Sequence, residues 1–293
     1  GIVNGYKNTF LQVAGTDNFI EGTKFEELYT LHIIDSSMNN ILFKYILFLE
    51  KALKSRLSYL IAQNYGVYTD KDDISFRNES DYLYYKNYTN HGSRRINILR
   101  SLRDAILHPR QNPSMLHYIN NKNHIPPWIL TTNISYGLSI EWYNILRSED
   151  KKVICNSFLS EGLCTEVETK EFVRKSLEIT KEYRNKIAHG NRTFNISSLP
   201  QLPKKQLLAF TFNAVSSQEY DAKLGQDDTM AVLLALFTLL NNKYLLNNMV
   251  NEIGQILIPY NNVSFNGKTV YEILGLPNDV IERLSLLWQR KFS

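Results

Sequence analysis

Arg184, Asn185 and His189 fall within six positions of one another in the string EYRNKIAHGNR, near the end of a helix-like run. A guanidinium, a carboxamide and an imidazole can together hold a phosphate and move its protons. The guanidinium neutralises charge that grows on the phosphoryl oxygens, and the imidazole alternates between base and acid. The same groups have plainer uses. An arginine beside a packed face is often the partner of a carboxylate, and a histidine just before a glycine often only ends a helix. Spacing alone leaves these alternatives open.

Helix geometry sharpens the question. At about 100° per residue, Val173, Leu177 and Ile187 share a face with Arg184, and Thr180 lies nearby. Asn185 and His189 fall on an adjacent face, in line with Glu182. Arg184 and His189 diverge by about 140°, so only a long arginine reaching round, or a second copy of the helix, brings both onto one ligand. Gly190 is a natural stop, which leaves His189 at the carbonyl end, where an imidazolium is favoured.

The elements that must position this triplet read as helical almost throughout. Residues 168–189 form one strong helix. Leu42, Ile46, Leu49, Leu53, Leu57 and Leu60 make a buried stripe on a helix from Met38 to Tyr65, stopped at Gly66. The tract 66–91, rich in Tyr, Asp and Asn, reads as irregular. Residues 86–110 carry Lys86, Arg94, Arg95, Arg100, Arg103 and Arg110 against the single acid Asp104, with a helical apolar face that Pro109 ends. After Pro126–Pro127 an apolar helix is expected to run through Trp128, Tyr136 and Trp142. Residues 195–206 read as a connection, and Gln226–Leu257 as another long helix with Asp227 and Asp228 at its positive end. A hairpin is expected at VSFNGKTV, where Asn266–Gly267 suits a tight turn. The fold class expected is all-α.

Bulk properties exclude several classes. The 293 residues, 43% hydrophobic and 21% charged, describe an ordinary globular chain with a formal charge of only +4. MAVLLALFTLL is about half the roughly 20 residues that a membrane span needs, so no membrane partner is expected. Cys155 and Cys164 form no paired-cysteine motif and read as reduced core thiols, consistent with a cytoplasmic location. No metal-ligand motif occurs, and no metal or other cofactor is expected.

RNKIAH has the R-x-x-x-x-H form of the HEPN-domain ribonucleases, and RNKIAHGNRTFN resembles the R-N-x-x-A-H-x-x-R signature of the Abi-like (AbiD/AbiF) abortive infection proteins of bacteria. Three other segments agree in order. LYTLHIIDSSMNNILFKYILFLEKALKSRLSYLIAQNYG resembles that family's long early helix, with its embedded Glu50 and Arg56. PPWILTTNISYGLS is similar to its P-x-W…F-G-x-L-S block, and ILGLPNDV to its small glycine–proline motif. The AbiF branch fits best. Two positions depart from the pattern: Thr132, where many relatives carry a glutamate, and Gly190, where many carry a second histidine.

The resemblance implies a HEPN-like helical bundle with additional helices over residues 1–200, the motif at 184–189, and a C-terminal helical extension over 201–293 on the same core. It implies metal-free RNA cleavage by the substrate's own 2′-hydroxyl, in antiphage abortive infection or as a toxin. His189 would be the acid and base, Arg184 would hold the phosphate, and Asn185 would orient one of them. Such domains pair through the motif helix, so a homodimer is expected. The alternative is an RNA-binding protein that holds a structured non-coding RNA without turnover. Relatives also have an N-terminal helical segment before the position matching GIVNGYKNTFL, so a preceding segment is expected.

Other candidates carry competing readings. Arg94, Arg95, Arg100 and Arg103 can track an RNA backbone, with Tyr82, Tyr84, Tyr85 and Tyr88 as stacking surfaces, or they can form a solvated face with the tyrosines in the core. Arg192 matches the family signature and can contact phosphate, or pair with Glu182 or Glu178. Glu50 and Lys54 are spaced for an i,i+4 pair. Arg56 is expected in a buried ion pair, His108 at a helix terminus, and Trp128 and Trp142 in the core.

Overall fold

The computed structural model describes residues 2–13, 15–190, 192 and 199–293. Its described residues contain fourteen α-helices and a single two-stranded sheet, an all-α fold. The chain divides into two compact units, residues 1–47 with 175–293, and residues 48–174.

Helix α1 spans Ile2–Tyr6, and α2 runs from Phe25 to Tyr65. At 41 residues α2 is about 60 Å long, well beyond the expected start at Met38. The added turns are built on Leu28, Leu31 and Ile34, all buried, and on Asp35, a carboxylate in a core position. Gly66 ends the helix with φ of +73°, a conformation that glycine adopts without a Cβ clash.

In the second unit, the tract 66–91 is irregular save for one short turn of 3-10 helix at Tyr85–Asn87. Its acids hold it together. Asp81 accepts from the backbone N–H groups of Thr69 and Asp70, and Asp73 from those of Ser75, Arg77 and Asn78. Tyr82, Tyr84 and Tyr88 are buried, so of the four tyrosines weighed as stacking surfaces only Tyr85 is half-exposed. Tyr88 donates to the Tyr82 carbonyl and accepts from Trp142 Nε1 at 3.0 Å.

Helices α3 (Ser93–Leu107), α4 (Pro113–Asn121), α5 (Pro127–Leu130), α6 (Tyr136–Ile145) and α7 (Ser148–Phe158) follow. The apolar run after Pro126–Pro127 is thus two helices and not one. Ser135 breaks it, because its hydroxyl accepts from Leu138 N and caps α6. Trp142 is fully buried, but Trp128 on α5 is 49% exposed, contrary to its expected core position. His108 is the C-cap of α3, as expected.

Helix α8, Glu166–Ala188, matches the expected 168–189 helix and carries the motif. Thr165 and Glu168 cap its start reciprocally: Glu168 Oε2 accepts from Thr165 N, and Thr165 Oγ1 accepts from Glu168 N.

The remaining elements belong to the first unit: α9 (Lys204–Phe210), α10 (Ser217–Asp221), α11 (Thr229–Leu239) and α12 (Lys243–Leu257), then β1 (Ser264–Phe265), β2 (Lys268–Thr269), α13 (Val270–Leu274) and α14 (Val280–Phe292). The expected single helix over Gln226–Leu257 is divided. Asn242 accepts from Leu245 N and starts α12 afresh. β1 and β2 form the expected hairpin, with Asn266 and Gly267 both at positive φ. Every residue of α11 is buried, which makes it the centre of this unit's core.

Candidate functional site at the end of the motif helix

The face that α8 packs inward carries Val173, Leu177, Thr180 and Tyr183, all buried. Tyr183 and Thr229 share a 2.8 Å hydrogen bond that ties the motif helix to the start of α11. The next residue, Arg184, is half-buried, and its guanidinium lies over the Phe43 ring of α2, 5.9 Å from the centroid. Its Nε is buried without a hydrogen-bond partner, and among the described residues no carboxylate pairs with the guanidinium. The plainer reading of Arg184, an internal ion pair, is therefore not what the fold provides.

Asn185 is half-buried and His189 exposed. The His189 amide still donates to Asn185 O at 3.1 Å, and Gly190 N then donates to Ile187 O at 2.9 Å. With Gly190 at φ of +69° and nothing within 4 Å of a Cβ there, the helix stops as glycine allows. His189 thus stands at the carbonyl end of α8, facing solvent. Glu182 is engaged by Lys181 at 2.8 Å and Glu178 by Lys175 at 3.7 Å.

Arg192, two residues beyond the stop, donates to the carbonyl of Gly5. Its charge also reaches Tyr6, where burial and the neighbouring Asp35 together hold the phenol well above its usual range. Tyr6 donates to Asp35 Oδ2 at 2.7 Å, Asn39 Nδ2 reaches the same oxygen at 3.4 Å, and His32 Nδ1 lies 3.2 Å from the Tyr6 hydroxyl. Asp35, Tyr6 and His32 escaped the reading of the sequence. The available signal was a carboxylate interrupting the apolar stripe of α2 between Leu31 and Met38.

The four candidate RNA-binding arginines of the basic stretch, Arg94, Arg95, Arg100 and Arg103, are placed in two ways, all within the second unit. Arg94 pairs with Glu141 at 2.7 Å. Arg95 donates to Tyr88 O at 3.3 Å and lies 5.1 Å from the Tyr85 ring centroid. Arg100 and Arg103 instead line one groove, together with Arg110 and His108. Of the secondary candidates, Glu50 and Lys54 form the expected pair at 2.7 Å. Arg56 forms no ion pair among the described residues. It stacks over Phe158, with Cζ 4.1 Å from the centroid, and donates to Ser157 and to Ala52 O. Cys155 is buried beside the Tyr143 hydroxyl, where burial pushes its thiol up to about 11, whereas Cys164 is half-exposed.

Among the described residues no group of three or more His, Cys, Asp and Glu is placed to hold a metal ion, and no helix is long and apolar enough to cross a membrane.

Compared with known families, residues 2–195 match the Abi-like protein family. The chain belongs to the Abi-like family. The match covers α1 to α8 and so includes the motif helix, and it ties the protein to abortive infection, an antiphage response. No curated protein and no solved structure gives a significant match to the chain.

Proposed function

We propose that this Abi-like protein is a metal-independent endoribonuclease whose site is Arg184, Asn185 and His189 at the end of α8. The observation that carries the reading is the state of Arg184. A guanidinium half-withdrawn from water, resting on Phe43 with no acid paired to it among the described residues, leaves its charge available to an anionic ligand.

In the proposed reaction a ribose 2′-hydroxyl attacks the adjacent phosphorus and the 5′-oxygen leaves, giving a 2′,3′-cyclic phosphate and a 5′-hydroxyl. Arg184 stabilises the charge that grows on the equatorial oxygens, and His189 transfers the proton at the attacking or leaving oxygen. Asn185 orients the imidazole or a phosphate oxygen, and Arg192 adds positive charge beyond the helix stop. Arg184 and His189 make no hydrogen bond to each other, and their stems diverge by about 140°. A homodimer in which two motif helices meet would bring the arginine of one copy and the histidine of the other to one phosphate.

The test is cleavage of a single-stranded RNA panel. His189→Ala should remove cleavage with an unchanged melting temperature, products should end in cyclic phosphates, and EDTA should have no effect. Wild-type rates in the alanine variant would end the assignment. Salt-sensitive RNA binding without product under any condition would instead favour the RNA-holding reading.

A further inference from the structure

The second unit contains a groove of about 720 Å³ between the C-terminal half of α3 and the start of α6. That volume lies within the range of ligand-binding clefts. Arg100, Arg103 and Arg110 line it, and the carboxylate among its lining residues is that of Asp104. Asp104 is already engaged, with His108 Nδ1 2.8 Å from its Oδ1.

The three guanidiniums are differently held, and among the described residues none has an ion-pair partner. Arg103 donates through Nη2 to Lys71 O at 2.5 Å, which fixes its fork, while its Nε is buried with no partner. Arg100 makes one long contact, 3.4 Å to Asn97 Oδ1. Arg110 has no hydrogen-bond or ion-pair partner among the described residues. It sits at φ of +46°, followed by Gln111 at +63°, a left-handed pair that side chains with a Cβ seldom adopt. The turn is pinned behind it. Asn112 N donates to Pro109 O at 2.7 Å, and the Asn112 side chain caps α4.

The groove is not only basic. Ile74 lines it and is 73% exposed, and Leu138 on α6 is half-exposed beside it. An apolar surface left in water next to unneutralised guanidiniums suits a ligand that is anionic on one side and flat and apolar on the other. A nucleotide within a single strand has that form, with its phosphate and unstacked base both accessible. A duplex offers phosphates but hides its base faces, and an acidic peptide makes no use of the apolar wall.

We propose that this groove binds single-stranded RNA, with phosphates on Arg100, Arg103 and Arg110 and base faces against Ile74 and Leu138. The inference deepens the proposed function and takes only its ligand class, RNA, from it.

The experiment is fluorescence anisotropy with a labelled oligoadenylate of about a dozen nucleotides (a length typical of single-strand sites), on the full chain carrying His189→Ala and across a salt series. Three phosphate contacts contribute a log–log salt slope of about −2. Arg100→Ala with Arg110→Ala, both at exposed positions, should weaken binding about tenfold and flatten the slope by about 1.4. Ile74→Ala should weaken binding about threefold and leave the slope unchanged. Lys51→Ala, which removes an exposed charge outside the groove, should change neither, and melting curves establish that each variant is folded.

Unaltered binding in the double arginine variant would overturn the proposal. So would a duplex of the same sequence bound as tightly as the single strand, or an acidic peptide that displaces the oligonucleotide. Adenosine monophosphate that binds the parent chain but not the double variant, with the oligonucleotide unaffected, would reassign the groove to soluble nucleotides. Because binding is read on a chain lacking His189, a failure of the nuclease assignment leaves this outcome interpretable.

Discussion

Asp228 and Lys291 hold opposite ends of the same buried helix. The Asp228 carboxylate accepts from Ala231 N at 2.8 Å at the start of α11, and also from Gly225 N at 2.9 Å. At the far end, Lys291 on α14 donates to the carbonyls of Phe237, Thr238 and Leu240 at 2.7, 2.7 and 2.9 Å. A helix buried over its whole length cannot leave its terminal amides and carbonyls to water, and these two charges replace the solvent there.

The first consequence concerns pH. Burial, opposed by the backbone N–H groups it caps, raises the Asp228 carboxyl from 3.8 to about 6. The folded protein therefore holds this proton more tightly than the unfolded chain. The resulting stabilisation is complete below pH about 4 and is lost as pH rises through about 6, a change of about 3 kcal/mol. An asparagine side chain caps a helix as well as an aspartate does, without the charge. Because Asn offers one acceptor oxygen where Asp228 uses two, Asp228→Asn should keep the α11 cap, leave Gly225 N without its acceptor, and flatten the change of the denaturant midpoint between pH 4 and 7. Parallel curves for wild type and variant would contradict this.

Lys291 has the opposite sign. Burial pushes its ammonium down to about 7 from 10.5, so its contribution is complete above the unfolded value and is lost as pH falls through about 7. Lys291→Met keeps the aliphatic stem but leaves three terminal carbonyls without a donor. The expected cost at pH 7 is about 2–4 kcal/mol, together with loss of the rise in stability between pH 7 and 10. Thermal melts at the two pH values measure both.

Much of this architecture is readable from residue order, and what is not has a common cause. Gly66, Gly190 and Asn266–Gly267 are legible because each needs a positive φ that few side chains tolerate. The division of Gln226–Leu257 is not, because a wholly buried helix such as α11 has no polar face whose phase marks an end, and the break rests on one cap, Asn242. The motif triplet stands out by type and spacing. Its surroundings do not: Tyr6 and Asp35 are 29 residues apart, and only tertiary packing brings the phenol to the carboxylate. The basic stretch shows where charge is dense, but not that Arg94 meets Glu141 while Arg100 and Arg103 stay open to a groove.

Arg56 offers a test of packing against pairing. Its guanidinium lies on Phe158 and bonds to neutral oxygens, with burial depressing its pKa. Arg56→Ala should therefore cost about 1–3 kcal/mol through lost stacking and unpaired oxygens. An ion pair would make that cost fall with salt. Denaturation in low and high sodium chloride should give the same difference from wild type.

Arg184 is the residue for which stability and activity should separate most clearly. Among the described residues its guanidinium meets only the Phe43 ring, 5.9 Å away, and no acid there depends on it for neutralisation. Truncation therefore leaves no buried charge behind, and Arg184→Ala should shift stability by less than about 1 kcal/mol. If the guanidinium serves a phosphate that gains charge during cleavage, the same variant should lose about 10²–10³-fold in turnover. Arg184→Lys keeps one positive charge but not the planar fork, so it should retain the salt dependence of RNA binding while recovering only part of the rate. An alanine variant that cleaves normally, or one that fails to fold, would mean that Arg184 serves the protein's interior and not its ligand.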